Sequence, residues 1–420
     1  MATQPSTGHG LTSAQIRRYH HRIVLQRLRQ LGEASKADLA RAAALTNTAV
    51  GEIVSELMAL GLIHVVGKRY EGQRGQPATI LRLQSNGAYG IGVRLDRNRI
   101  ETALVDLGGR IVAIKDREGP LPVPEKALDI VQTDIEALVA VADGETPGRV
   151  AGVGIGRPFN LGAWLGKLDL KNSNLRAWDT FDFAGALADR VNLDVHEEND
   201  GTAAAIGELF HGHGRDGIDF VYFFIGPAIG GGMVLDGDYR RGPRANAGDV
   251  AMIPVEPSRL ASALPVDSRR DILLSRASVS SLLRHLRHHG AKADGLDDLQ
   301  AAMARHPQAV DEWLADCVDA LVDPIMTASA FLDVPSVVID GDLGPDLLSR
   351  LVESLRGSLE RAAPEAREPP ALRIGSFGSV AGAVGAASLP LFIHFAPRPQ
   401  VLTRPDSLSP IRGAENARAP

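Results

Sequence analysis

The stretch GGGMVLDGDYRRGPRANAGDVAMIPV, residues 230–255, combines three glycines, an apolar run, a turn at Asp236-Gly237-Asp238 and a Gly248-Asp249 pair. Glycines let main-chain amides approach a ligand closely, and carboxylates accept hydrogen bonds from hydroxyls. The segment therefore suits a small polar ligand held against backbone. It contains neither Cys nor His, and Met252 stands where a polar group would be useful. A second polar cluster, Glu198-Asn199-Asp200, precedes an alanine-rich stretch, where Asn199 and Asp200 suit the cap of a helix that starts at Gly201. His285, His288 and His289 recur at i, i+3 and i+4, a helical spacing that could serve a metal ion. With no further ligand near them in sequence, they read as a solvated basic face. Cys317 is the one cysteine, which excludes an internal disulfide and a thiolate zinc cluster, and it reads as a small buried apolar residue. No metal and no cofactor is expected.

These residues need elements to position them. The chain has 420 residues, 44% hydrophobic and 23% charged, as in a globular protein of two or three domains. Its first residues, MATQPSTGHGLTSAQ, lack a basic region followed by an apolar core, so no secretory signal is expected. No uninterrupted apolar run approaches the roughly 20 residues that span a bilayer. A cytoplasmic protein without a membrane partner is the expectation. Charge is uneven: residues 1–84 hold 11 Lys/Arg against 5 Asp/Glu, and the rest of the chain holds 34 against 46. A basic module on an acidic body points to a polyanion partner for the first part.

Within residues 14–31, Ile16, Ile23, Leu28 and Leu31 fall near helical spacing, and Gly32 ends the run. Ser35-Lys36-Ala37-Asp38 reads as a capping box opening a helix over 36–43. Thr46-Asn47-Thr48 caps a third helix with Val50, Ile53, Val54, Leu57 and Leu60 inward, closed by Gly61. Strands over 62–66 and 79–83 flank the glycine-rich, charged KRYEGQRGQP. Helices followed by a hairpin make a winged helix-turn-helix. Lys36 and the start of the third helix, Thr46, Asn47, Thr48, Gly51 and Glu52, are the expected groove-facing residues, with Lys68, Arg69 and Arg74 of the wing on phosphates or a minor groove. The alternative is a packing module that touches no nucleic acid, to which Glu52 lends some weight. Beyond residue 86, strands alternate with helices, which predicts an α/β body with ligands at strand C-termini.

The motifs NLRAW (174–178), ENDGTAAAIGE (198–208), GPAIGGGMVLDGDYRRGPRANAGDV (226–250), VVIDGDLG (337–344) and GSVAGAVGAA (378–387) resemble those of the ROK family of repressors, uncharacterised reading frames and sugar kinases. RGQPA at 74–78 resembles the Gly-Arg-Pro-Ala wing of its repressor branch. The resemblance implies a winged helix-turn-helix (1–84), then a two-lobed actin-like, ribonuclease H-like sugar-kinase fold over 85–396 that binds ligand and self-associates as dimer or tetramer. Residues 397–420, rich in Pro, Arg and Ser, are expected to be a disordered tail. It also implies that Asn174, Asn199, Asp200 and Asp249 hydrogen-bond sugar hydroxyls. Asp249 replaces the family's Glu, Met252 its His, and a further sugar-binding Glu falls near Leu274.

Other family features are missing. The Asp-x-Gly-Gly-Thr phosphate loop of the kinases reads Arg94-Leu95-Asp96-Arg97-Asn98, and their Gly-Thr-Gly reads Gly226-Pro227-Ala228. The substitutions remove close backbone approach, a hydroxyl and, at Pro227, a main-chain donor. The family's zinc site would need His at Met252 and three cysteines within 265–274, and none is present. Arg157 replaces a glycine near the pocket, facing either an acidic ligand or solvent, and Arg244 lies in the loop before Asp249. The expectation is a repressor of carbohydrate-related genes, not an enzyme, that binds duplex operator DNA under control of a sugar or sugar derivative. The alternatives are a sugar kinase with an attached DNA module and a ligand-blind repressor.

Overall fold

Thr12 opens helix α1 (Ser13–Leu31) through a capping box with Gln15, and Gly32, at φ 72°, ends it. The computed structural model describes residues 11–70, 77–168, 173–217, 219–293, 295–363 and 368–403. Strand β1 (Glu33–Ser35) leads into α2 (Lys36–Ala43), opened by the Ser35–Asp38 capping box. Ala44, at φ 54°, turns the chain into α3 (Asn47–Ala59). Strands β2 (Ile63–Arg69) and β3 (Ala78–Leu83) follow, in an antiparallel sheet of order β1-β3-β2. Three residues are too few for β1 to show a periodic pattern, and it was not expected. On α3 the inward residues are Val50, Ile53, Val54 and Leu57, with Leu60 partly buried. On α1 the expected face is wrong: Val24, Leu25 and Leu28 are buried, while Ile16 and Leu31 are exposed. The reason is Arg29, also buried, whose guanidinium lies 3.6 Å from the Phe210 ring and turns that side of α1 toward the body.

The body holds two five-stranded sheets. The first comprises β4 (Tyr89–Asp96), β5 (Arg99–Asp106), β6 (Ile111–Glu118), β7 (Val150–Gly156) and β8 (Val195–Glu198), ordered β6-β5-β4-β7-β8. The hairpin strands pair antiparallel, and β4, β7 and β8 parallel. Helices α4 (Pro124–Glu145) and α5 (Phe183–Ala188) share a core with it. Pro124 takes the first helical position, where its missing N–H costs nothing. Helix α6 (Asp200–His211) leads to the second sheet, made from β9 (Phe220–Ile225), β10 (Ile229–Leu235) and β11 (Asp238–Tyr239). A short pair, β12 (Pro254–Val255) and β13 (Asp271–Ile272), precedes α7 (Val279–His288), α8 (Leu296–Arg305) and α9 (Pro307–Leu332). Strand β14 (Ser336–Gly341), helix α10 (Pro345–Ala362) and strand β15 (Ala371–Ile374) complete the second sheet, ordered β11-β10-β9-β14-β15. The described chain ends with α11 (Ala381–Phe395) and α12 (Gln400–Thr403).

Helices α6 and α11 pack on each other between the sheets. Glycine makes that possible: a Cβ on Gly92 of β4 would lie 2.2 Å from the Ala383 carbonyl oxygen, so α11 rests directly on the strand backbone. The segment Gly378–Phe395 is 18 residues with mean hydropathy 1.4, long and apolar enough to cross a membrane, but 72% of it is buried inside the protein as this core helix. One hydrophobic cluster runs from Val24, Leu28 and Ile53 of the N-terminal helices to Phe210, Phe392 and Phe395. Main-chain caps reinforce the contact: Arg22 donates to the Ile393 carbonyl at 2.9 Å, Arg149 to that of Leu60 at 2.6 Å, and Arg215 to that of Arg29 at 2.7 Å.

Part of the segment where a tail was expected, from Pro397, is structured. Arg398 donates to Asp238 at 3.1 Å and stacks over Tyr239 and Phe392, and α12 follows. Residues 404–420 lie outside the described residues.

Candidate functional site

Asn199 and Asp200 stand where β8 ends and α6 begins, at the junction of the two sheets. Asn199 caps the helix, its side-chain oxygen accepting from Gly201 N at 3.1 Å, and the Asp200 carboxylate accepts from the same N–H at 2.9 Å. A Cβ on Gly201 would lie 2.4 Å from the Gly231 backbone, so α6 touches β10 main chain to main chain. That contact accounts for the glycines in both segments. Burial raises the Asp200 carboxyl above its ordinary range, the Asp96 charge adds to this, and Arg94 and Arg97 oppose it.

Arg94 dominates the space in front of Asp200. It is buried and donates to Glu101 at 2.9 Å and to the Ser379 carbonyl at 3.1 Å, with Asp96 at 3.6 Å and Asp342 at 3.8 Å. Its stem fills the room left by Gly382, where a Cβ would lie 2.5 Å from Arg94 Cδ. Arg97 is tied to the Leu161 and Asn160 carbonyls. What remains beside Asp200, bounded by Arg94, Asp96, Arg97, Phe224 and Pro227, is about 20 Å³. Across the cleft, the Gly226 carbonyl accepts from Val279 N at 2.8 Å, and that of Pro227 from the Ser280 hydroxyl at 2.7 Å. These acceptors are satisfied by the start of α7. A larger cleft of about 250 Å³ opens between the lobes, lined by Arg97, Arg99 and Glu118 on one side and Ser280, Arg287 and Asp297 on the other.

The other expected ligand residues lie at exposed positions on different segments. Asn174 sits in a 3₁₀ turn (Ser173–Asp179) anchored by buried Leu175 and Trp178, the latter donating to the Pro122 carbonyl at 2.9 Å. Asp249 follows Gly248 and accepts from Asn246 at 2.8 Å. Met252 is 42% exposed and Leu274 is buried core. Arg157 does not point to solvent: it is buried and paired with Glu197, and its Nη1 has no hydrogen-bond partner. Arg244 is exposed. His285 corrects the expectation of a solvated histidine face, because it is 1% exposed, whereas His288 is exposed. Cys317 is buried, and burial pushes its thiol well above the usual range.

The N-terminal residues expected to face a polyanion are mostly exposed. Lys36, Asn47, Thr48, Glu52 and Lys68 are exposed, and Gly51 is half-buried, its carbonyl accepting from Ser55. Thr46 is exposed, but its hydroxyl accepts from Ala49 N at 3.2 Å as the cap of α3. Arg69 pairs with Asp38 at 2.9 Å, tying β2 to the start of α2. Ser35 hydrogen bonds, with help from Arg41 and Arg69, hold the Asp38 carboxyl far below the usual range. Arg74 lies outside the described residues. Arg94, Arg149 and Arg22 were not legible as tethers, since Ser379, Leu60 and Ile393, to whose carbonyls they donate, lie on remote segments.

A two-sheet body clasping a helix pair, with an acidic residue at the junction and a three-helix module packed on its side, defines an α/β protein of the sugar-kinase-like fold. The ROK family profile matches residues 90–391, and the chain belongs to that family. Among curated relatives, it is 29% identical over 363 residues to the uncharacterized protein y4fQ of Sinorhizobium fredii, covering 86% of this chain and 88% of that one. It is 22% identical to the xylose repressor of Bacillus subtilis over 57% of this chain and 62% of the repressor. The crystal structure of a ROK family transcriptional regulator, a homolog of the E. coli Mlc protein, superposes with a TM-score of 0.64 at 19% identity, over 90% of this chain and 98% of that one. A ROK family glucokinase from Streptomyces griseus, in complex with glucose and AMPPNP, gives 0.55 at 24% identity, over 72% and 99%. The chain shares the fold with regulators and kinases alike.

Proposed function

We propose that this protein is a DNA-binding transcriptional repressor whose operator affinity is set by a sugar or sugar derivative bound between the lobes, and that it is not a kinase. In this reading residues 1–84 make the winged helix-turn-helix, with Asn47, Thr48 and Gly51 reading the major groove and Lys36 and Lys68 on phosphates. Arg69 serves chiefly to hold the wing against α2. The ligand is recognised by Asn199, Asp200, Asn174 and Asp249, which together offer donors and acceptors to adjacent hydroxyls.

The observation that carries this reading is α6. It begins at Asp200 in the interlobe junction and ends at His211, and the Phe210 ring of its last turn lies beneath Arg29 of α1. At 1.5 Å per residue it is a strut of about 18 Å between ligand cleft and DNA module. Lobe closure on a ligand moves one end, and the module packed on the other end moves with it. That linkage changes operator affinity, most directly in a dimer whose two modules must match the half-site spacing.

A second reading, a sugar kinase, is favoured by the raised carboxyl of Asp200, suited to accept a proton from an attacking hydroxyl. Against it, Arg94 fills the room left by Gly382 and only about 20 Å³ remains beside Asp200, and the Gly226-Pro227 segment presents satisfied carbonyls where a phosphate needs amide donors. Melting-temperature screening over sugars, sugar acids and sugar phosphates, with wild type and Asp200→Ala, separates the readings. A true ligand present at one hundred times its Kd stabilises the wild type by about 2.7 kcal/mol and the variant far less. A hit that shifts both equally would reduce Asp200 to a helix cap. Hexose-dependent ADP release abolished by Asp200→Asn would establish the kinase.

A further inference from the structure

His285 lies on the buried side of α7, and His289 follows one turn later. Both Nε2 atoms stand 3.3 Å from one oxygen of Glu312, which reaches across from α9. The contact at His285 is not a hydrogen bond: its Nε2 has no hydrogen-bond partner although the side chain is only 2% exposed. An uncapped imidazole nitrogen inside a protein costs free energy unless something takes its lone pair. All three candidate atoms lie within 4.8 Å of one another. A tetrahedral ion with bonds of about 2.0–2.1 Å spaces its ligand atoms about 3.3–3.4 Å apart, which is the separation between each imidazole and the carboxylate.

We propose that His285 Nε2, His289 Nε2 and the Glu312 carboxylate form a three-ligand site for a borderline divalent cation of the Zn(II) class, bridging α7 and α9. The surroundings favour the ligating form. The Ser262 hydroxyl lies 2.8 Å from His285 Nδ1; in the ligating tautomer Nδ1–H donates to it and Nε2 keeps its lone pair for the ion. His289 and Glu312 are 34% and 37% exposed, giving the ion an entry path and leaving its fourth position to water. Bound there, the ion joins two helices that are remote in sequence and fixes the 262 segment against α7, a structural role in the second lobe.

The test uses full-length, tag-free protein freed of metal with a chelator, then titrated with Zn(II) in competition with a chromogenic chelator. Wild type and His288→Ala are expected to take up one equivalent with the same affinity. His289→Ala and Glu312→Ala, at half-exposed positions that spare the fold, are expected to bind at least about tenfold more weakly, since losing a ligand costs no less than losing a supporting residue. Co(II) in place of Zn(II) is expected to show the intense d–d absorption of a tetrahedral site. Failure of wild type to bind one equivalent, unchanged affinity in both ligand variants, or equal loss in His288→Ala would overturn the assignment.

Discussion

Asp340, at the end of β14, has no exposed surface, and its carboxylate takes hydrogen bonds from the Tyr222 hydroxyl at 3.1 Å and from Gly341 N at 2.9 Å. Burial pushes its pKa up to about 7, and the nearby Glu208 charge adds to the effect. A carboxyl raised above its unfolded value binds its proton more tightly in the folded state. Its contribution is full below about pH 4 and is lost as pH rises through 7. Asp340→Asn removes this dependence. Between pH 5 and 8 its stability is expected to improve relative to wild type by on the order of 2–3 kcal/mol, read from urea unfolding at each pH. An unchanged difference across that range would contradict the assigned shift. Such buried acids were invisible in the sequence. VVIDGDLG stood out as a family motif, but the packing that buries Asp340 includes Tyr222 on another strand. Arg157 and Arg94 were hidden for the same reason: Glu197, Glu101 and Asp342 lie 40, 7 and 248 positions away.

Helices with side-chain punctuation were the most legible elements. α2 and α3 begin where Ser35-Asp38 and Thr46 placed them, because capping chemistry is local. The face of α1 was misjudged because a buried arginine, Arg29, does part of what an apolar residue would. The candidate site was legible as motifs but not as geometry: the glycines of 230–232 pointed to close approach, and the partner turned out to be the α6 backbone. Two variants separate these roles. Thr46→Ala removes the α3 cap and is expected to cost about 1 kcal/mol of stability, whereas Asn47→Ala leaves stability unchanged and relaxes preference at one base position. Equal stability loss in both would argue that Asn47 is structural. Gly201→Ala drives a methyl into Gly231 and is expected to destabilise by at least about 1–3 kcal/mol, with loss of any ligand-induced melting shift. A wild-type melting temperature in that variant would mean that α6 does not rest on β10.

At the scale of the molecule, the module and the body share one hydrophobic cluster, and Arg22, Arg149 and Arg215 close main-chain contacts across their junction. The basic excess of residues 1–84 sits beside an acidic remainder. On the proposed reading, such a division favours polyanion binding by the basic side, and counterion release would make that binding steeply salt-dependent. The central claim is that the full chain reads duplex DNA through α3 and its neighbouring wing. The most direct measurement is fluorescence anisotropy of full-length protein against genomic duplexes selected for binding, across a salt series, with wild type and Asn47→Ala. The account predicts a linear fall of log K with log salt. It also predicts an Asn47→Ala defect of about 1–3 kcal/mol on the selected duplex, with none on a scrambled one. Absence of any duplex binding by the wild type at low salt would contradict it.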